Sequence, residues 1–361
     1  MDDQALENFG WNSFFEASFS DFEGKGYFVG RVMLEHRKAF RLLSQFGEIA
    51  AEASGKLHYS ARGKIDLPAV GDWAVFQFNE EERKGVIHAV LPRKSKFSRK
   101  TAGVKTEEQI VAANIDKVFL VSSLNKAVNI RSIERYLTLA WDSGASPAII
   151  LNKKDLCENL EEELSRVEDI ALGVPVTAVS ALTGDAVSEV LSQLTPGQTG
   201  ALLGPSGVGK STLLNRLYGE VIQEVREVRE IDSRGRHTTT HRELFRLPSG
   251  ALIIDTPGMR ELQLWEGGEG LEETFEEIHA LAGSCRFRDC LHDNEPGCAV
   301  LAALEDGDLE EKRYLSFKKL QKELASLAAR QDQRAMLDQK RKNKRLHKEI
   351  RRVINAKKRS E

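Results

Sequence analysis

The sequence predicts three unlike domains in one chain: a small closed β-barrel, a doubly wound α/β domain, and a mostly helical segment around a metal-ligand knot. Three observations predict this. Between residues 25 and 104, short β-rich runs alternate with glycine and charged turns. Between 105 and 264, buried-strand patterns alternate with helical ones, and a glycine-rich turn joins one strand to one helix. From 265 to 361 the pattern is helical, and three of the four cysteines cluster with a histidine. At 361 residues the chain is long enough for two or three cores.

Residues 1–24 scatter Phe9, Trp11, Phe14, Phe15, Phe19 and Phe22 among acids. They could form an N-terminal helix or a docking segment; the residues alone do not decide. In 25–104 the β-rich runs are Tyr27–Val32, Trp73–Phe78 and Gly85–Val90. A barrel of the OB type fits this length. The basic stretch Arg93–Lys100 follows. It reads either as a solvated linker or as a phosphate-contacting loop, since basic runs alone discriminate poorly. In 105–264, strands are expected at Ile115–Val121, Ala148–Leu151, Val174–Val179, Gly200–Leu203 and Leu252–Ile254. Helices are expected at Arg131–Trp141, Glu158–Ile170, Val187–Leu194 and from Ser211. Beyond Leu271 the chain reads as helix, including Leu315–Leu327.

Charged residues make up 30% of the chain, and no apolar run approaches the ~20 residues of a membrane span. Asp2, Asp3 and Glu7 open the chain where a secretory signal would carry a basic and then an apolar region. Four cysteines make no disulfide framework at this length, so a reducing compartment, the cytoplasm, is expected. The net charge of −3 hides an asymmetry: residues 339–361 hold 11 Lys/Arg and 2 Asp/Glu, against 41 and 53 in the rest. A basic tail on an acidic body suggests a polyanionic partner. That tail, from Lys340, reads as an RNA contact or as a solvated helix end. No membrane partner is implied, and nothing demands more than a monomer.

Each chemical motif falls at the carboxyl end of an expected strand, where open parallel sheets bind ligands. Gly204-Pro205-Ser206-Gly207-Val208-Gly209-Lys210-Ser211 is a phosphate loop, G-x-x-x-x-G-K-S. Its small residues let backbone N–H groups curl around phosphate oxygens. Lys210 offers a point charge to the β- and γ-phosphates, and the Ser211 hydroxyl offers a ligand to Mg²⁺. Asn152-Lys153-Lys154-Asp155 reads N-K-x-D, a guanine reader. The Asp155 carboxylate can accept from guanine N1–H and N2–H₂, and adenine would leave it unpaired. Asn152 would brace the loops, and the Lys153 stem could cover the base. Ser180-Ala181-Leu182 matches the S-A-x element, whose backbone N–H would meet guanine O6. Asp255-Thr256-Pro257-Gly258 reads D-x-x-G: Asp255 toward Mg²⁺ through water, the Gly258 N–H toward the γ-phosphate. Thr238, Thr239 and Thr240 lie where a first switch loop belongs, and Thr239 is the preferred Mg²⁺ ligand among them. Met259-Arg260-Glu261 offers no glutamine to orient a water, so intrinsic hydrolysis should be slow. His237 is a candidate to orient that water; an exposed switch histidine is the alternative reading.

An ordinary G domain runs phosphate loop, D-x-x-G, N-K-x-D. Here N-K-x-D comes first, so the central domain is a circularly permuted P-loop GTPase domain. Further on, Cys285, Cys290, His292 and Cys298 give C-x4-C-x-H-x5-C, a closed tetrahedral set for one structural Zn²⁺.

Barrel, permuted G domain and Cys3His knot together resemble the ribosome small-subunit-dependent GTPase A family of bacteria. The resemblance covers nearly the whole chain and includes Gly204–Thr212, Asn152–Asp155, Gly235–Thr240, Asp255–Gly258, the four zinc ligands and the Leu91–Lys100 linker. It implies a factor that binds the small (30S) subunit late in maturation and whose GTP hydrolysis the subunit stimulates. It also implies 16S rRNA contacts by the barrel, and a nucleotide-binding role for Thr212 as part of the loop. By the same carry-over His237 matches the family's catalytic histidine, acting with Lys210 and Thr239. Two rival readings remain: a nucleic-acid-binding module whose G domain only binds nucleotide, and a permuted GTPase serving the large subunit.

Overall fold

A computed structural model of the chain describes residues 3–36, 39–61, 63–100, 108–219, 242–255, 269–326 and 329. The chain divides into two compact units, Met1–Gln263 and Leu264–Glu361.

The first unit opens with the expected barrel. Its strands are β1 (Phe28–His36), β2 (Ala39–Ser44), β3 (Gly47–Ala53), β4 (Trp73–Asn79) and β5 (Lys84–Val90). They run in the order β1-β2-β3-β5-β4, and β4 pairs back onto β1 to close the ring. β3 and β5 are parallel, and the other neighbours are antiparallel. Alternation along β2 and β3 turns Phe40, Leu42, Ile49 and Ala51 inward, against Val32, Ala74, Phe76 and Ile87. The short helix α3 (Gly55–Ser60), capped by the Ser54 hydroxyl on Leu57 N–H at 3.1 Å, adds Leu57 to this core.

Residues 3–22 form two short helices and a closing helical turn, joined by a turn at 8–12, and belong to the same body. α1 (Asp3–Glu7) and α2 (Ser13–Phe19) place Leu6, Trp11, Phe15 and Phe19 on Val29, Trp73, Val75 and Leu91. The Trp11 and Trp73 rings meet edge-on at 4.7 Å. β4 explains the arrangement: Ala74 and Phe76 face the barrel interior, so Trp73 and Val75 face the other way and need a cover.

The basic stretch after the barrel is largely built into the fold. Arg93 forks onto Asp72, with Nε to Oδ1 and Nη2 to Oδ2 both at 2.7 Å, and also donates to the carbonyls of Ile65 and Leu67. Ser95 Oγ donates to Ile115 O and accepts from Ile115 N–H. Lys94 lies over the rings of Phe14 and Phe15. Neither reading offered by the sequence describes Arg93, which is a half-buried structural cation paired with the buried Asp72. The strands β6 (Lys96–Lys100) and β7 (Glu108–Ala113) then pair antiparallel.

The α/β part contains β8 (Lys117–Ser123), α4 (Ile130–Ser143), β9 (Ser146–Asn152), α5 (Leu160–Glu168), β10 (Val176–Val179) and α6 (Val187–Ser192). It continues with β11 (Thr199–Leu203), α7 (Lys210–Tyr218), β12 (Glu243–Arg246) and β13 (Leu252–Asp255). The sheet order is β10-β9-β8-β11-β13-β12, parallel except for β12. β11, which feeds the glycine-rich loop, is central, between β8 and β13. The three strands that would close an ordinary G domain instead open this one. β12 also pairs with barrel strand β1 at Leu34↔Glu243, so barrel and α/β sheet are one continuous eleven-stranded sheet.

The second unit is helical, as expected: α8 (Glu269–Thr274), α9 (Glu276–Ala282), α10 (Ala299–Asp306) and α11 (311–326). Phe275, Ile278, Val300 and Ala303 are buried in it. Arg313 pairs with Glu277 at 2.6 Å and lies 4.3 Å over the Phe275 ring.

Candidate nucleotide site and metal centre

The glycine-rich loop runs from the end of β11 to the start of α7. Its backbone is close against its neighbours: a Cβ on Gly204 would stand 2.2 Å from Val121 O, and one on Gly209 would stand 2.2 Å from Asn152 Nδ2. α7 begins at Lys210, so its N-terminal N–H groups and dipole point into the loop. Lys210 Nζ lies within the same loop, donating to Gly204 O at 2.6 Å and Pro205 O at 2.7 Å.

Asn152, at the end of β9, joins the phosphate loop to the base-reading loops. Its Nδ2 donates to Val208 O at 2.8 Å, and its Oδ1 accepts from Ala181 N–H at 2.9 Å. The bracing expected of Asn152 is therefore made to both sides. The same bond occupies the Ala181 N–H, one of the backbone donors of the S-A-x element. Ser180 Oγ donates to Asp155 Oδ1 at 2.5 Å, which fixes the carboxylate that would read the base edge. Lys153 sits in the left-handed region, φ 64°, where the chain turns sharply out of β9. Lys154 pairs with Asp185 at 2.8 Å, a bond that holds its ammonium above the usual lysine range.

Two residues in this network carry no motif. Asp185 receives Lys154, and its carbonyl accepts the Ser180 N–H. Arg216, on α7, donates from Nε to Ala181 O at 3.2 Å and from Nη2 to Leu182 O at 2.6 Å. Sequence spacing carries no sign of either: Asp185 meets Lys154 through the turn of its own loop, and Arg216 meets that loop through the packing of α7. Asp255 ends β13 beside β11, and its side chain lies outside the described residues. His237, Thr238, Thr239, Thr240, Gly258 and Met259 also lie outside them.

In the second unit Cys285, Cys290, His292 and Cys298 converge, their ligand atoms all within 4.8 Å of one another. Cys285 Sγ is 3.8 Å from Cys298 Sγ and 3.6 Å from His292 Nδ1, which is 3.4 Å from Cys298 Sγ. Ligands about 2.0–2.3 Å from one tetrahedral ion stand about 3.4–3.8 Å apart, so the set fits Zn²⁺. The electrostatics agree. Burial, the largest influence, raises the Cys285 thiol, but the N–H groups of Ala299 and Val300 at the start of α10, with the neighbouring Cys298 and Cys290, together hold the thiol below its ordinary value. Burial, with the neighbouring thiols, pushes Cys290 up to about 11. Burial, then Lys318, keeps the His292 imidazole below its usual value and so neutral. Three crowded thiols resist ionising together, and a dication removes that conflict.

The loop around these ligands is held from outside. His292 has φ 60°, and Tyr314 Oη donates to its carbonyl at 2.5 Å. Lys318 Nζ donates to Leu291 O at 2.6 Å. Glu295 accepts from the N–H groups of Leu291, Asp293 and Asn294, which hold its carboxyl down to about 2.

A phosphate loop on the central strand, a base-reading loop fixed by Asn152, a permuted strand order and a closed five-stranded barrel define a circularly permuted P-loop GTPase. The sequence pattern described as RsgA GTPase matches residues 90–265, and one described as 50S ribosome-binding GTPase matches 199–356. The small ribosomal subunit biogenesis GTPase RsgA of Opitutus terrae is 47% identical over 336 residues, 91% of this chain and 92% of that protein. RsgA 1 of Oceanobacillus iheyensis, of the same description, is 44% identical over 90% of this chain and 93% of its own. The crystal structure of YjeQ from Thermotoga maritima superposes with a TM-score of 0.64 at 28% identity, over 83% of this chain and 99% of that one. YloQ, a circularly permuted GTPase, gives 0.60 at 25% identity, over 83% and 96%. The chain belongs to the RsgA GTPase family.

Proposed function

We propose that this GTPase binds the small (30S) ribosomal subunit and assists its late maturation, turning GTP into GDP and phosphate faster when the subunit is bound. The observation that supports this reading is Asn152, whose one side chain bonds both Val208 O of the glycine-rich loop and the Ala181 N–H of the S-A-x element. The sheet holding that pocket continues into an OB-type barrel, a fold whose open face suits nucleic acid. Relatives sharing over nine-tenths of their length with the chain are named for small-subunit biogenesis.

Within this reading the loop from Gly204 to Gly209, with Lys210, Ser211 and Thr212, holds the phosphates. Asn152, Lys153, Asp155, Ser180 and Ala181 select guanine, and Lys154 holds their loops together through Asp185. Ser211 and Thr239 would ligate Mg²⁺, with Asp255 through water; the ion would offset charge on the β- and γ-phosphates. The Gly258 N–H meets the γ-phosphate, and His237 orients the attacking water. The four-ligand set at Cys285–Cys298 is closed by protein, so its zinc is structural. The protein acts as a cytoplasmic monomer divided as 1–24, 25–104, 105–264 and 265–361, with the basic tail from Lys340 on rRNA.

The 50S description matched to residues 199–356 favours one rival, a large-subunit partner. GTP turnover measured alone, with purified 30S and with purified 50S separates the readings. Stimulation by 30S alone is expected. Stimulation by 50S alone supports the rival, and no stimulation by either supports a nucleotide-binding module.

A further inference from the structure

We infer that Arg216 is a positioning residue for guanine selectivity, through its grip on the loop that carries the base-reading backbone. The inference rests on the guanine-pocket reading of Asn152, Asp155 and Ser180. Arg216 lies in the last turn of α7, the helix that starts at the phosphate loop. Its guanidinium takes two successive carbonyls, Ala181 O at 3.2 Å and Leu182 O at 2.6 Å. It also lies over Gly184, where an added Cβ would stand 3.8 Å from its Cζ.

In a trans peptide the C=O and the following N–H point to opposite sides. Fixing the carbonyls of Ala181 and Leu182 toward α7 therefore turns the N–H groups of Leu182 and Thr183 the other way. The Thr183 N–H indeed meets Ser180 Oγ at 3.2 Å, and that hydroxyl donates to Asp155 Oδ1. Arg216 thus fixes the facing of the two peptides that follow Ala181, the turn whose Thr183 N–H holds the Ser180 hydroxyl on Asp155, and the Lys154–Asp185 pair holds the far end of the same loop. Because α7 also carries Lys210, one rigid helix positions the phosphate end and the base end together. Arg216 touches neither base nor phosphate in this scheme. It acts by keeping the loop in register, and a fork of donors suits two adjacent carbonyls better than a single ammonium does.

The test measures the affinities of full-length, metal-loaded protein for fluorescent GDP and fluorescent ADP. The variants are Arg216→Ala, Arg216→Lys and Asp155→Asn. Arg216→Ala should weaken GDP binding about tenfold, as expected for losing charged hydrogen bonds that order a reading loop. ADP binding, which uses the phosphate loop alone, should stay within about twofold, so the GDP/ADP ratio falls. Arg216→Lys, which keeps charge and stem and folds more safely, should give an intermediate ratio. Asp155→Asn should collapse the ratio by itself. If both Arg216 variants keep the wild-type ratio, or lose GDP and ADP affinity equally, the positioning role is overturned while the pocket stands. If Asp155→Asn leaves the ratio untouched, the guanine pocket falls and the Arg216 inference falls with it.

Discussion

Asn152 is engaged at both ends of its carboxamide inside the protein: Nδ2 on Val208 O and Oδ1 on Ala181 N–H, with the residue 2% exposed. Truncation to alanine would leave a carbonyl of the phosphate loop and an amide of the base loop without a partner, at roughly 1–3 kcal/mol for each buried group. Asn152→Ala should therefore lower both stability and nucleotide affinity, the latter by at least about tenfold, as read by denaturant titration and by GDP binding. Gly209 reports on the same contact from the other side. A Cβ there would stand 2.2 Å from Asn152 Nδ2 in a backbone at φ 96°, so Gly209→Ala should lose GDP binding even where the protein folds. Glu35 gives a pH signature. Burial raises its carboxyl, and Arg242 and Lys64 only partly offset this. A carboxyl raised in the folded state adds stability that is fully present below the unfolded value of 4.5, and that stability is lost as pH rises through the folded value. Glu35→Gln should thus gain on the wild type from acid toward neutral pH, and thermal melts across that range would check it.

The metal loop behaves as an element because its ligands and its braces come from different segments. Cys285 follows α9, Cys298 caps α10, and Tyr314 and Lys318 reach in from α11. Glu295 gathers three N–H groups of the turn between them. Partners of this kind outside the ligand set typically change metal affinity by about 10–100-fold. Glu295→Ala is expected to retain all four ligands yet release zinc to a competing chelator at least about tenfold more readily. The ligand set itself was legible in the sequence, because C-x4-C-x-H-x5-C is a local pattern. So were β1, β4, β5 and the motif-bearing strands, each an apolar run ending in a turn signal. The hairpin β2–β3 was not: Leu43 breaks the alternation of Phe40 and Leu42, and Ala-Glu steps dilute β3. β12 is only four residues, Glu243–Arg246, and takes its conformation from β13 and β1. Arg93 reads as one more cation in a basic run until Asp72, 21 residues earlier, is seen beside it. Such partners depend on the closed barrel, which sequence spacing does not record.

At the scale of the whole molecule, the two compact units depend on different interactions, so each should respond to a different insult. In Met1–Gln263 the N-terminal helices, the barrel and the α/β sheet converge on Arg31. It is 2% exposed and donates to the carbonyls of Phe9, Gly71 and Asn114, one from each part. Burial lowers its pKa to about 10, while Asp116 and Asp72 hold it charged. Arg31→Met would keep the stem packing but take their donor from Phe9 O and Asn114 O, while Gly71 O keeps Asn114 Nδ2, at a cost of about 2 kcal/mol or more. In Leu264–Glu361 the loop from Cys285 to Cys298 depends on its four ligands, and binding energy at such a site is folding energy. Calorimetry of the zinc-loaded chain with bound GDP should therefore resolve two transitions. Arg31→Met should lower the transition that GDP raises, and a strong chelator should lower the other while leaving the GDP-sensitive one in place. GDP raises only the transition of the unit that binds it, through mass action on that unit alone. A single transition that moves as one under both treatments would show instead that the two units unfold together and that the cluster stabilises the whole chain.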